Sequence, residues 1–191
     1  MTSYSQTGYT VVRELIPAAL VEHLASYAQV LAGADRFSGG GQVPGSLQLY
    51  GDPGFDAVLL NVTKRLGEAS SLRLAPTYSF ARIYRRGQAL AAHRDRPECE
   101  HSASLHLAAS SNVSRPIFMK DAVGATVEID LEPGDAIMYR GADLIHWRDP
   151  SPHDWFVQLF LHYVDNYGPN AARRRDGRPT LGVERRAGEH D

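Results

Sequence analysis

The sequence predicts an α+β protein in which N-terminal helices back an antiparallel β sandwich or barrel. Two observations carry this. Apolar residues recur at helical spacing in two segments before Ser71, and from Ser71 to Tyr163 the pattern changes to eight short β-prone runs separated by turn residues. Runs of that length and spacing suit an antiparallel sandwich or barrel. Helices that precede them all are left with one sheet face to cover. At 191 residues the chain is most simply a single domain with a real core.

Taken in order, GYTVVREL (8–15) suits a short strand, and Pro17 then starts a helix where its missing N–H costs no hydrogen bond. Leu20, Val21, Leu24, Tyr27, Ala28 and Leu31 fall on one face of that helix. The stretch RFSGGGQVPGSLQLY (36–50) holds too many glycines for regular structure and reads as a mobile loop. A second helix spans roughly Gly54 to Glu68, with Phe55, Val58, Leu59, Val62 and Leu66 turned inward. The β runs follow: TYSFARIY, ALAAHRD, SASLHLAA, RPIFMK, ATVEI, DAIMYR, DLIHW and WFVQLFLHYV. After Tyr163 the chain turns rich in Gly, Pro and Arg and loses periodicity. Residues 1–165 are therefore read as one domain and 166–191 as a tail or flap.

With 43% hydrophobic and 22% charged residues, the composition is that of an ordinary soluble globular protein. A net charge of −2 gives no general attraction to nucleic acid or membrane, so neither is an expected partner. The single cysteine, Cys99, excludes an internal disulfide, and no apolar run is long enough for a signal peptide or a membrane span. The expected location is the cytoplasm. Oligomeric state stays open.

The stretch AAHRDRPECE (91–100) contains His93-Arg94-Asp95, a tripeptide that opens a kinase catalytic loop and also places two metal ligands. A kinase needs an Asn five positions after the Asp, and Glu100 stands there; an Asp-Phe-Gly is also missing. The metal reading fits better. Alternate strand residues share a face, so His93 and Asp95 project together while Arg94 points away. A third ligand should come from another strand, and LEPGDAIMYRGADLIHW (131–147) offers His146 after a tight Pro-Gly-Asp turn. Two histidines and a carboxylate on one face of an ion suit Fe(II) and leave its other face open.

Here the chain resembles the Fe(II)- and 2-oxoglutarate-dependent dioxygenases, in the branch that looks like the prolyl hydroxylases. The resemblance runs from about Gly8 to Tyr163 and rests on GYTVVRELIPAALVEHL, ARIYRRGQALAAHRD and LEPGDAIMYRGADLIH. It implies a double-stranded β-helix, or jelly roll, with iron at the open end. The ligand roles go to His93, Asp95 and His146. Tyr84 matches a tyrosine that reaches 2-oxoglutarate, and Ser102 and His106 match a Thr and a Tyr lining the cosubstrate pocket. The implied reaction couples dioxygen and the decarboxylation of 2-oxoglutarate, to succinate and carbon dioxide, to attack on a substrate C–H bond. Asp95 argues against halogenation, for which the related halogenases carry a small residue at that position.

One departure stands out. The family anchors the far carboxylate of 2-oxoglutarate with a basic residue on the last barrel strand, and SPHDWFVQ (151–158) has none. Arg148 is the first substitute and Arg82 the second. The expected substrate is a free small molecule such as an amino acid or a biosynthetic intermediate. Two other readings remain: a cupin-like iron oxygenase that does not use 2-oxoglutarate, and a binding module without catalysis on the same barrel.

Overall fold

The computed structural model describes residues 4–183. Three helices, α1 (Tyr4–Thr7), α2 (Ala18–Gly33) and α3 (Pro53–Ser70), precede or interleave with β1 (Tyr9–Val12), β2 (Ser38–Gly39) and β3 (Leu47–Tyr50). The barrel strands follow: β4 (Leu74–Arg85), β5 (Leu90–His93), β6 (His101–Ala109), β7 (Ile117–Lys120), β8 (Thr126–Ile129), β9 (Ala136–Tyr139), β10 (His146–Arg148) and β11 (Trp155–Asp165). Each of the eight β runs has become a strand. Among the described residues no helix is long and apolar enough to cross a membrane.

The eight barrel strands pair from the outside inward. The first pairs with the eighth (β4 with β11), the second with the seventh (β5 with β10), the third with the sixth (β6 with β9) and the fourth with the fifth (β7 with β8). All four pairings are antiparallel. A long hairpin rolled up in this way is a double-stranded β-helix. β1, β2 and β3 extend one sheet, giving a seven-stranded sheet β1-β9-β6-β11-β4-β3-β2 facing a four-stranded sheet β5-β10-β7-β8.

The larger sheet has two chemically different faces, as the two-residue period of a strand allows. Ala81, Ile83, Ala103, Leu105, Leu107, Val157, Leu159 and Leu161 pack with Val21, Leu24, Phe55, Leu59, Val62 and Leu66 of α2 and α3 in one apolar core. The alternate residues Arg82, Tyr84, Ser102, Ser104, Gln158 and His162 are buried too, on the side that faces the smaller sheet. α3 is well started: the Asp52 carboxylate accepts hydrogen bonds from the N–H groups of Gly54 (2.9 Å) and Phe55 (3.2 Å). Such a cap is worth about 1 kcal/mol.

The Gly-rich stretch 36–50 differs from expectation. Its last four residues form β3, with Leu47 to Tyr50 in register with Ile83 to Phe80 of β4. The glycines just before it supply a turn back to β2 and hide a strand too short to show a clear alternation.

The Pro-Gly-Asp turn holds the N-terminal segment to the barrel. The Asp135 carboxylate accepts from the N–H groups of Glu14 (2.8 Å) and Glu132 (3.0 Å) and from Arg13 (2.6 Å). Gly134 has φ +94° and lies so close to Ile16 that an added Cβ would sit 3.0 Å from the Ile16 carbonyl oxygen, so glycine is required there.

Residues 166–183, the described part of the expected tail or flap, lie against the body; 184–191 fall outside the described residues. Arg178 pairs with Asp56 at 2.9 Å in the interior and donates to the Thr77 carbonyl oxygen (2.9 Å). Asp176 is buried between Tyr50 and Arg96, accepting hydrogen bonds from both.

Candidate metal site

His93 ends β5 and His146 begins β10, and the two are register partners across the smaller sheet. Asp95 lies two residues beyond the end of β5, so strand alternation does not place it. It is fixed instead by its backbone N–H, which donates to the Gly141 carbonyl oxygen at 2.9 Å. Asp95 Oδ1 stands 3.4 Å from His93 Nε2 and 3.5 Å from His146 Nε2. The three ligand atoms all fall within 4.8 Å of one another.

The hydrogen bonds around the histidines decide which nitrogen is free. His93 Nδ1 lies 2.9 Å from the Ala91 carbonyl oxygen and His146 Nδ1 lies 3.0 Å from that of Leu144. A carbonyl only accepts, so each Nδ1 carries the proton and each Nε2 presents a lone pair. Two imidazole lone pairs and a carboxylate oxygen then converge on one point, an arrangement that a divalent cation satisfies and that leaves the oxygen-nitrogen set suited to iron. In the metal-free protein burial tends to raise the Asp95 carboxyl, but hydrogen bonds from the His146 and His93 rings in their protonated form hold it well below the usual carboxylate range.

Behind the triad a short relay orients Asp95. Ser102 Oγ donates to Asp95 Oδ2 at 2.9 Å and lies 2.9 Å from His162 Nδ1. The serine proton is committed to the carboxylate, so the histidine Nδ1–H is the donor to Ser102. Burial pushes His162 down to about 4, which keeps its ring neutral near pH 7. The arrangement leaves Asp95 Oδ1 as the oxygen free for a metal.

A cavity of about 270 Å³ opens on the triad, walled by Tyr78, Phe80, Arg82, Tyr139 and Phe160 among others. Arg82, buried on β4, is in this wall. Arg148 is not. It is two residues past His146, 2% exposed, and donates one hydrogen bond to the Arg115 carbonyl oxygen at 2.7 Å. Arg115, 6% exposed, sits beside it with its guanidinium 4.1 Å from the Tyr84 ring centre and 4.7 Å from that of Phe156. Neither arginine forms an ion pair with a carboxylate among the described residues, and both keep buried N–H groups without a partner. Burial and the neighbouring Arg148 charge push Arg115 down to about 9.

The remaining expected site residues cluster around this pair. The Tyr84 hydroxyl is fully buried and has no partner among the described residues. His106 stacks on Phe156 at 4.8 Å between ring centres and its Nδ1 lies 2.8 Å from the Leu131 carbonyl oxygen. Ser102 is at the metal triad instead, against Asp95. The sequence reading missed Arg115, Tyr139 and His162. For His162 a signal exists: in WFVQLFLHYV the polar Gln158 and His162 fall on the same strand face as each other, opposite Leu159 and Leu161. Arg115 offers none, because only the fold shows that the residue before Pro116 is enclosed.

No protein-family model and no curated protein sequence matches the chain. Solved structures do. A Pseudomonas putida prolyl-4-hydroxylase superposes with a TM-score of 0.70 at 17% identity, over 85% of this chain and 95% of that one. SnoK, a non-heme alpha-ketoglutarate-dependent carbocyclase from nogalamycin biosynthesis, superposes with 0.73 at 11% identity, over 96% and 91%. HygX from Streptomyces hygroscopicus, with nickel, 2-oxoglutarate and hygromycin B bound, gives 0.67 at 13% identity, over 86% and 85%. The chain thus has the fold of the iron- and 2-oxoglutarate-dependent oxygenases, prolyl hydroxylases included.

Proposed function

We propose that the chain is an Fe(II)- and 2-oxoglutarate-dependent oxygenase that oxidises a C–H bond of a small molecule. The observation that carries this reading is the convergence of His93 Nε2, His146 Nε2 and Asp95 Oδ1 at a cavity of small-molecule size. Solved neighbours of the same fold hold nickel with 2-oxoglutarate and a small molecule, or are described as alpha-ketoglutarate dependent.

His93, Asp95 and His146 would hold the iron. Iron and 2-oxoglutarate together supply an oxidant for a C–H bond, with succinate and carbon dioxide released. The chain's own groups do the holding. The Ala91 and Leu144 carbonyls fix the two imidazole tautomers, and Ser102 fixes the carboxylate. Tyr139 packs edge-on against His146 at 4.7 Å between ring centres and limits how that ligand can turn.

For the far carboxylate of 2-oxoglutarate, Arg148 and Arg115 replace the missing basic residue of the last strand. A buried guanidinium without a counter-ion is costly, and two side by side call for an anion. Phe156 of β11 serves as a platform on which both cations rest, at 4.7 and 5.5 Å. The free Tyr84 hydroxyl adds a third donor. His106, lowered mainly by burial, stays neutral and forms a wall through its stacking on Phe156.

The test is an anaerobic titration of the Fe(II)-loaded protein with 2-oxoglutarate. A visible charge-transfer band is expected, absent from Asp95→Ala. Iron binding without any band would favour the oxygenase reading that does not use 2-oxoglutarate.

A further inference from the structure

We infer that the cavity takes a small carboxylic acid with a flat apolar body, and that Arg82 binds the carboxylate. The inference rests on the oxygenase reading for the purpose of the cavity, though not for its charge. Arg82 is 3% exposed on the inner face of β4. Its one hydrogen bond among the described residues runs from a terminal nitrogen to Gln42 Oε1 at 3.1 Å, its Nε has no partner, and no carboxylate pairs with it.

The other charged groups on this wall are committed. Arg96 is paired with Asp176 at 2.7 Å, and Arg94, exposed at the rim, donates to the Asp143 carbonyl oxygen at 2.8 Å. Asp95 belongs to the triad. The cavity therefore keeps one enclosed cation with unused donors, and burial of such a charge is relieved by an anion. A guanidinium edge matches a carboxylate through two parallel hydrogen bonds.

The walls beside it define the rest of the ligand. Phe80 lies 5.1 Å below the Arg82 guanidinium, and Phe160, its register partner on β11, lies 6.2 Å from Phe80 between ring centres. Leu90 closes the side. These surfaces offer no hydrogen bonds and favour a flat apolar group. Gln42, in the Gly-rich connection between β2 and β3, holds the arginine in place from the neutral side.

Phenylacetate and its uncharged counterpart phenylacetamide are the probes, titrated by calorimetry into protein loaded anaerobically with Fe(II) and 2-oxoglutarate. The acid is expected to bind about ten-fold or more tighter than the amide, the gain of a charge-assisted pair. Arg82→Gln should erase that preference and leave the 2-oxoglutarate band in place. Arg82→Lys keeps the charge and should keep part of the preference, and the comparison in the native chain needs no variant at all. Equal binding of acid and amide, no binding of the acid, or a preference that survives in folded Arg82→Gln overturns the inference. So does loss of the band in Arg82→Gln alone, which would make Arg82 the cosubstrate's anchor. A native protein that shows no band instead removes the 2-oxoglutarate-dependent reading, and the same two probes on the Fe(II) protein still decide the role of Arg82.

Discussion

His93 and His146 face each other across the antiparallel pair β5 and β10, ring centres 4.3 Å apart, each with Nδ1 held by a carbonyl two residues earlier in its own chain segment. The backbone thus orients both rings without help from a metal. Removing Asp95 should accordingly abolish tight metal binding while leaving the fold intact. Asp95→Ala is expected to lower Fe(II) affinity by more than the roughly 10–100-fold loss seen when only an outer partner is removed. Metal competition against a chromophoric chelator measures this, with circular dichroism as the control for folding.

Ser102 reaches the proposed metal site only through Asp95, to which its hydroxyl donates. Ser102→Ala frees Asp95 Oδ2 and should weaken metal binding by about 10-fold, a smaller loss than that of the ligand variant. The same competition assay ranks the two, and equal losses would show that the serine does more than orient the carboxylate.

Arg115 and Arg148 predict effects of opposite sign on stability and binding. Exchanging both for methionine removes two buried charges and is expected to raise the Tm of the cosubstrate-free protein, by up to about 1–4 kcal/mol of stability. It should also remove the stabilisation that 2-oxoglutarate gives the metal-loaded native chain, about 2.7 kcal/mol at a ligand concentration of one hundred Kd. Thermal melts with and without 2-oxoglutarate check both.

Asp135 gives a pH-dependent prediction. Burial tends to raise its carboxyl, but the Glu14 and Glu132 N–H groups and Arg13 outweigh this and hold it below its ordinary value. A carboxyl lowered on folding contributes stability that is present above its unfolded pKa, near 3.9, and is lost as pH falls through the folded value. Asp135→Asn should therefore cost about 1–3 kcal/mol at pH 7. Urea unfolding should show the gap between variant and native chain shrinking below about pH 4.

Arg178 holds the C-terminal segment to the interior through Asp56. Arg178→Ala leaves that carboxylate without its cation, and the expected cost is about 3–5 kcal/mol. Equilibrium denaturation of the full chain reads it directly.

The barrel was legible because each of its strands announces itself locally, by a short β-prone run and a turn. The convergence of the triad was legible in part: His93 and His146 fall at strand ends beside recognisable turns, and Asp95 follows two residues after the first of them. What the sequence hid depends on neighbours from distant segments. Asp95 is aimed by Gly141 and Ser102, not by strand alternation. Arg115 is enclosed only because β10 and β11 bring Arg148 and Phe156 against it. β3 was masked by the glycines that make its turn.

The two unlike faces of the seven-stranded sheet carry a consequence for how such a protein can change over time. The side sealed against α2 and α3 supplies cohesion, while the opposite side holds Phe80, Arg82 and Phe160, which line the cavity and whose replacement alters what fits inside. Mutations that retune selectivity and mutations that threaten folding thus fall on alternate positions of the same strands. A lineage built on this plan can drift toward new ligands one inward residue at a time without loosening the seam that keeps it folded.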